Sequence, residues 1–221
     1  MTLSRILRLA ALAALVALAA AACQREQTPE ATTPVPRKAP AAAASGDYDE
    51  HSYAEPDKVA IEDLALELAL DFDARTISGT ATYTLDWRDE GADALVLDTR
   101  DLTIERAEGE AAGGGWQPLQ FELAERDDLL GSKLTIQAPE RNGRIRVAYR
   151  TSPAASGLQW LDASMTQGKA TPFMFSQSQA IHARSWVPLQ DTPRVRYTYS
   201  ARVTSPADVM VLMSADNDPA A

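Results

Sequence analysis

Two glutamines within a mostly apolar stretch, residues 173–193, are the side chains best suited to binding a ligand. Gln177 and Gln179 are two positions apart, so an extended chain would present both on one face. An amide group donates and accepts hydrogen bonds, but it cannot act as a general acid or base near neutral pH. The pair therefore predicts recognition, with any bond-breaking group supplied from elsewhere. The alternative is that both are satisfied polar residues of a sheet.

The sequence argues against a metal site and against a hydrolytic triad. The chain has two histidines, His51 and His182, and no His-Glu-x-x-His pattern, whereas zinc needs three or four ligands at suitable spacing. A nucleophile that depends on histidine would have to use His182, for which the sequence suggests no serine partner. On a strand, His182 would face away from Gln179, towards packing or solvent contact. The glycines at 113–115 lack phosphate-loop spacing and predict a turn.

The other polar and aromatic residues of this region are expected to be structural. Arg184 and Asp191 flank a proline-containing turn, which favours an ion pair that fixes the loop. Trp160, Phe175 and Trp186 are expected in the core, because an acidic chain is a poor platform for nucleic acid.

The composition predicts one globular domain with tails. The 221 residues are 45% hydrophobic and 24% charged, with a formal net charge of −10, and these proportions are ordinary for a soluble domain. The acidic balance and the lack of a basic stripe exclude nucleic acid as the expected partner. The single cysteine, Cys23, can form no intramolecular disulfide.

The amino-terminal residues have the pattern of an export signal. Arg5 and Arg8 precede an apolar run, residues 9–22, which is short for a membrane span but typical of a secretory signal. The run ends at Ala20-Ala21-Ala22-Cys23 and resembles a bacterial lipobox, which predicts a lipid anchor on Cys23. An ordinary cleaved signal with an incidental cysteine is the alternative.

We therefore divide the chain into a signal, residues 1–22, a disordered Pro/Ala-rich tether, residues 23–46, and a folded domain, residues 47–221. The expected location is the bacterial cell envelope, with the lipid anchor on the periplasmic face of the outer membrane. Secretion to the periplasm is the alternative.

Alternation of apolar and polar residues predicts β-strands in the folded part. Residues 64–72 carry a large apolar residue at every second position, four leucines followed by Phe72, a period that would scatter apolar groups around a helix. After a polar turn, residues 77–87 alternate again and predict a hairpin. Further strands are expected at 94–97, 102–105, 116–123, 133–137, 144–149, 195–203 and 209–213. Asn142-Gly143 favours a tight primed turn.

These patterns together predict an all-β domain, an antiparallel β-sandwich or saddle-like structure, with no convincing helix after the signal.

Several motifs, in the same order, resemble the amino-terminal domain of M1-family zinc aminopeptidases, in the branch of leukotriene A4 hydrolase and its bacterial relatives. The resemblance covers roughly residues 51–215. The motifs are His-Ser-Tyr-Ala-Glu-Pro (51–56), Phe-Asp (72–73) with Ile-Ser-Gly-Thr-Ala (77–81), Leu-Asp-Thr-Arg-Asp-Leu (97–102), Gly-Leu-Gln-Trp-Leu (157–161) and the stretch 173–193.

The resemblance implies a curved β-domain that caps a zinc-bearing catalytic domain and acts on peptides with a free amino terminus. It implies that Gln177 lines the pocket for the first side chain and that Gln179 helps to hold the α-amino group. Ala180 would follow along the pocket wall. Glutamates of the catalytic domain would complete recognition of the amine.

The family's Gly-x-Met-Glu-Asn and His-Glu-x-x-His motifs lie downstream of this region, and the chain ends at Ala221 without them. We therefore expect a product truncated before the catalytic domain, with no catalytic residue of its own, no metal ligand, and an inactive isolated form. The parent enzyme would hold zinc in the absent domain. A non-catalytic peptide-binding lipoprotein and a structural envelope lipoprotein are the alternatives.

Overall fold

The computed structural model describes residues 49–218, whose regular secondary structure is almost entirely β-strand. The predicted signal, Cys23 and the tether lie outside the described residues. Two short 3₁₀ helices, Ala163–Met165 and Ala183–Ser185, interrupt the strands. The described strands are β1 (Val59–Asp71), β2 (Thr76–Trp87), β3 (Ala94–Thr99), β4 (Thr103–Glu110), β5 (Trp116–Leu119), β6 (Phe121–Leu123), β7 (Ser132–Gln137), β8 (Arg144–Arg150), β9 (Leu158–Leu161), β10 (Phe173–Ser176) and β11 (Thr198–Thr204).

The predicted first hairpin is confirmed. Strands β1 and β2 pair antiparallel, with Leu64 opposite Tyr83 and Leu68 opposite Gly79. The leucines at alternate positions of β1 point into the core, as the period of two requires. The residues between them, Ala65, Glu67 and Ala69, lie on the less buried face of the sheet.

The strands form three sheets. A six-stranded sheet has the order β11-β1-β2-β8-β4-β5, a three-stranded sheet has the order β3-β7-β6, and β10 pairs with β9. One hydrophobic cluster takes residues from both larger sheets, among them Leu66, Val147, Leu97 and Ile136. The predicted all-β sandwich is therefore confirmed. Residues 49–218 contain no helix long and apolar enough to cross a lipid bilayer.

One strand pair departs from the predicted antiparallel arrangement. Strand β11 lies parallel to β1, with Asp63 opposite Thr198 and Ala69 opposite Thr204. A parallel neighbour requires a long crossover, and the chain between β8 and β11 supplies it. This crossover contains β9, β10 and the stretch of residues 173–193.

Two strand predictions are wrong. Residues 116–123 form two strands, because the chain leaves the six-stranded sheet after β5 and enters the three-stranded sheet as β6. Residues 209–213 form no strand in the described part of the chain. Instead, the Asn217 side chain hydrogen-bonds the backbone N–H and C=O of Met213, so these groups are satisfied by a local turn.

The two predicted glycine turns differ in outcome. The turn at 113–115 is confirmed, since Gly114 and Gly115 have φ of +83° and +85° between β4 and β5. The predicted tight primed turn at Asn142-Gly143 is wrong, because β7 and β8 belong to different sheets and residues 142–143 form no such turn between them. Asn142 is buried there, and its amide donates to the backbone oxygen of Glu110 at 3.0 Å.

Candidate functional site

The hairpin of β9 and β10, which sequence periodicity did not predict, carries the candidate site. Its inner residues Trp160 and Met174 lie opposite one another and pack against the core. Trp160 also meets Phe72 edge to face, with ring centroids 5.2 Å apart. Arg75 and Asp162 form an ion pair at 2.9 Å beside this contact. The hairpin is therefore fixed to the turn between β1 and β2.

The outer face of the same hairpin is exposed and aromatic. Phe173 and Phe175 are 52% and 39% exposed, with ring centroids 6.0 Å apart. The prediction that Phe175 belongs to the core is wrong, because alternation along β10 turns Met174 inward and both phenylalanines outward. For Trp160 and Trp186 the prediction is confirmed, since both are partly buried against the core.

A cavity of about 270 Å³ opens on this exposed side. It lies where the start of β9 and the end of β10 meet. An exposed phenylalanine supplies apolar surface, and serine and glutamine side chains supply polar groups, which is the usual chemistry of a small binding cleft. The lining residues are Ser156, Gly157, Leu158, Gln159, Phe175 and Gln177.

The structure separates the two glutamines that the sequence placed on one face. Strand β10 ends at Ser176, and the next residue, Gln177, donates its backbone N–H to the Gly157 oxygen at 2.8 Å and lines the cavity. Gln179 and Ala180 belong to the following turn, joined by a cis peptide bond, and are not lining residues. The prediction that Gln177 and Gln179 share one face of an extended segment is therefore wrong. The predicted ligand-binding roles of all three residues stay predictions.

Gly157 sets the distance between the cavity and the turn that follows Gln179. A methyl group at this position would lie 2.5 Å from the backbone oxygen of His182 and 2.9 Å from the Ser185 Oγ. The Gly157 N–H donates to the same Ser185 Oγ at 2.8 Å, and that hydroxyl donates to the His182 oxygen. Only glycine fits this close backbone approach. The sequence signal was a glycine directly before an apolar strand.

The structure supplies the serine partner that the sequence did not suggest for His182. The Ser156 Oγ lies 2.9 Å from the His182 Nδ1, although 26 residues separate them in sequence. The third member of this Ser156 cluster is Arg100, whose Nη1 lies 3.2 Å from both atoms. A hydrolytic triad places an acid beside the imidazole to stabilise its cationic form, and an arginine does the opposite. The geometry therefore does not make Ser156 a nucleophile.

Charge and burial act together on Arg100. Its side chain is largely enclosed, and burial lowers the pKa of its guanidinium, with the nearby charge of Arg184 adding to the effect. The group remains a cation, since arginine does not lose its proton in proteins. Residues 49–218 contain no group of three or more His, Cys, Asp or Glu side chains that could hold a metal ion.

A family profile described as the peptidase M1 N-terminal domain matches residues 48–219, most of the chain. The chain belongs to the peptidase M1 family. Its M1 domain is 38% identical over 175 residues to leukotriene A-4 hydrolase of Xenopus laevis, a match that covers 77% of the chain and 28% of the relative. It is also 38% identical over 157 residues to leucine aminopeptidase 2 of Pyricularia oryzae, covering 68% and 25%.

Solved structures give the same family. The yeast leukotriene A4 hydrolase in complex with bestatin superposes with a TM-score of 0.66 at 32% identity, covering 74% of this chain and 26% of that one. The native enzyme of Saccharomyces cerevisiae gives a TM-score of 0.67. The chain spans about a quarter of the length of these relatives.

Beneath the site, a buried network centred on Arg184 joins distant parts of the M1 domain. Arg184 is 0% exposed, and its Nε donates to the Asp191 Oδ2 at 3.0 Å, which confirms the predicted pair. Its Nη1 lies 3.5 Å from the Asp98 Oδ1 and donates to the backbone oxygen of Leu130 at 2.9 Å. Its Nη2 donates to the backbone oxygen of His51 at 2.7 Å. We call these residues, with Ser52, the Arg184 network.

Asp98 is the fully buried carboxylate of the Arg184 network. It accepts hydrogen bonds from the Ser52 Oγ at 2.5 Å, the Tyr53 N–H at 2.7 Å and the Asp191 N–H at 3.0 Å. Burial is the largest influence and raises the pKa of the Asp98 carboxyl, while the Arg184 charge and these donors act to lower it. The arrangement satisfies the carboxylate with a countercharge and three donors.

We predict that Arg184→Met strongly destabilises the M1 domain. The change leaves Asp98 buried without its countercharge, which typically lowers the free energy of unfolding by about 3–5 kcal/mol. Urea denaturation followed by tryptophan fluorescence measures it. Arg150→Met is the matched control, because it removes an exposed ion pair with Glu105 and should cost about 0–1 kcal/mol. Equal costs for the two variants would contradict the prediction, and adding Asp98→Asn to Arg184→Met should recover part of the loss.

Proposed function

We propose that the chain is the substrate-recognition and capping domain of a zinc aminopeptidase that removes amino-terminal residues from peptides. The observation that carries this proposal is the cavity beside Gln177 in a domain of the peptidase M1 family. The names of the relatives, leukotriene A-4 hydrolase and leucine aminopeptidase 2, support a hydrolase as the parent protein. Activity on peptides with a free amino terminus is the part that needs testing.

In this proposal Gln177 contacts the first side chain of the peptide from the cavity wall. Gln179 accepts a hydrogen bond from the α-ammonium through its amide oxygen, and Ala180 borders the same pocket. The exposed turn leaves Gln179 and Ala180 accessible to a ligand. A neutral amide binds a cation more weakly than a carboxylate does, so we assign the remaining recognition of the amine to glutamates of the catalytic domain.

Zinc enters the proposal as the cofactor of the parent enzyme. The residues at 49–218 do not fit it, because they offer no cluster of ligands, and tetrahedral zinc needs three or four. We therefore assign zinc to a separate catalytic domain, which is the principal partner of this chain. Nucleic acid is not a proposed partner.

We further propose that a lipid on Cys23 anchors the protein in the bacterial cell envelope, on the periplasmic face of the outer membrane. The observation behind it is the position of the only cysteine, directly after a short apolar run. The tether that follows would hold the domain away from the lipid surface. Secretion to the periplasm without an anchor is the competing outcome.

We expect the purified chain to release no chromogenic amine from aminoacyl anilides, with or without added zinc. The physical reason is that its described residues cannot assemble a zinc site to activate water. A complete leucine aminopeptidase assayed in parallel controls for substrate quality. Zinc-dependent release of amine by the purified chain would overturn this expectation.

We expect Gln177→Ala and Gln179→Ala each to weaken binding of short peptides with a free amino terminus. A hydrogen bond to a charged group contributes about 1.5–3 kcal/mol, so removing the Gln179 amide should raise Kd roughly tenfold or more. For Gln177, whose contact is with a side chain, a smaller increase is expected. Isothermal titration calorimetry on the purified chain measures both.

Gln117→Ala is the matched control for these variants, because Gln117 is an exposed amide on β5 in the six-stranded sheet. An N-acetylated peptide controls for the amine, and Gln179→Ala should not change its affinity. Binding without cleavage by the whole protein would favour a non-catalytic peptide-binding lipoprotein. No binding heat with any free-amine peptide would reject the recognition role and leave a structural envelope lipoprotein.

We expect radiolabelled palmitate to be incorporated into the chain expressed in bacteria, and Cys23→Ser to abolish the label, since no other cysteine exists. The wild-type protein should fractionate with membranes, and Cys23→Ser should move to the soluble periplasmic fraction. A wild-type protein that carries no label would refute the anchor.

A further inference from the structure

The Ser156 cluster adds a polar contact to the cavity that the two glutamines do not account for. Ser156 is exposed and lines the cavity together with Gln177. Its Oγ lies within hydrogen-bonding distance of both His182 and Arg100. Which of these atoms donates and which accepts decides what Ser156 can offer a ligand.

Arg100 fixes the direction of these hydrogen bonds. A guanidinium has five N–H donors and no acceptor, and its Nη1 lies 3.2 Å from the His182 Nδ1. That nitrogen must therefore accept, which places the proton of the neutral imidazole on Nε2. Arg100 is only 8% exposed. Its guanidinium Nη2 donates to the backbone oxygen of Leu129, and its backbone N–H donates to the backbone oxygen of Arg184. Its orientation is thus set by the domain rather than by solvent.

As a consequence, the Ser156 oxygen can accept a hydrogen bond from a ligand but cannot donate one. The single lone pair of the His182 Nδ1 is shared between two donors, the Ser156 hydroxyl at 2.9 Å and, at the longer distance of 3.2 Å, the Arg100 Nη1. The Ser156 Oγ also accepts from the Arg100 Nη1 at 3.2 Å. A hydroxyl has one donor and two lone pairs, so one lone pair is left. Because Ser156 lines the cavity, that lone pair is available to a ligand.

The charge of Arg100 selects the kind of ligand group that can use this lone pair. A ligand ammonium bound to the Ser156 oxygen would be repelled by the positive charge of Arg100, which is hydrogen-bonded to the same oxygen. A ligand anion would be repelled by the oxygen lone pair. A neutral N–H or O–H donor suffers neither repulsion. The α-ammonium therefore belongs elsewhere, in keeping with its assignment to Gln179.

We propose that Ser156 is a specificity-determining residue that accepts a hydrogen bond from a neutral donor of the bound peptide. Arg100 and His182 are positioning residues that keep its oxygen an acceptor. The donor is an amide N–H, either of the peptide bond after the first residue or of a carboxamide side chain. This inference rests on the proposed peptide-binding function.

The first experiment compares wild type with Ser156→Ala by calorimetry at pH 7.5, using leucyl-alaninamide and the same compound methylated on the peptide nitrogen. Loss of a neutral hydrogen bond should weaken binding of leucyl-alaninamide by Ser156→Ala roughly three- to tenfold. If the peptide N–H is the donor, methylation weakens binding to wild type. The ratio of the Kd of Ser156→Ala to the Kd of wild type then falls to about one for the methylated compound. Ser156→Thr keeps a hydroxyl and should restore the affinity.

A second ligand series separates the other source of the donor. Asparaginyl-alaninamide has a first side chain close in size to leucine that ends in a carboxamide. If that carboxamide is the donor, Ser156→Ala weakens the asparaginyl compound selectively, and N-methylation of the leucyl compound leaves the variant ratio unchanged. Equal binding of all compounds to wild type and Ser156→Ala overturns the inference alone. No binding of any compound to wild type overturns the proposed function and this inference with it.

An independent readout tests the cluster without a ligand. Long-range ¹H–¹⁵N spectra of the two imidazoles, with His51 as the internal reference, should show the His182 proton on Nε2 in wild type and in Ser156→Ala, because Arg100 is unchanged. A proton on the His182 Nδ1 at pH 7.5 would overturn the inference, since Ser156 would then have to accept from His182.

Discussion

The buried charge of Arg184 is the interaction on which the rest of the domain depends. Removing a guanidinium from water costs several kcal/mol, and the cost is offset only when every donor finds a partner. Here the partners come from four separate segments: the residues at 51–53, β3 through Asp98, the loop before β7 through Leu130, and Asp191. The Arg184 network can therefore form only when these segments are all in place. It couples the start of the domain to the long crossover between β8 and β11.

The crossover in turn positions the site. Its 3₁₀ helix, Ala183–Ser185, carries the buried Arg184, and the Ser185 hydroxyl of the same helix accepts a hydrogen bond from the Gly157 N–H in the cavity wall. On the other side, Trp160 and Phe72 fix the hairpin of β9 and β10 to the six-stranded sheet. The exposed phenylalanine and glutamine side chains of the site thus belong to a backbone segment that is fixed by contacts on two sides. This arrangement orders the polar groups before a ligand arrives.

Local sequence patterns predicted what local contacts determine. Leucine at every second position of β1 specified the first hairpin, and the Arg184–Asp191 pair, seven residues apart, followed from turn chemistry. Contacts between distant segments were not predictable in this way. The break between β5 and β6 arises because the chain changes sheets, and Ser156 meets His182 because two loops converge. The family motifs indicated Gln177 and Gln179 as candidate ligand-binding residues. They did not indicate that Gln177 would follow the strand directly while Gln179 lies in the next turn.

The electrostatics of the site favour recognition over proton transfer. Gln177 and Gln179 are amides whose protonation does not change near neutral pH. His182, the residue best suited to act as a base, has its Nδ1 engaged by a serine hydroxyl and a permanent cation. The same arginine leaves Ser156 an acceptor, so one buried charge converts a pair resembling a nucleophile and its base into a contact for a neutral ligand group.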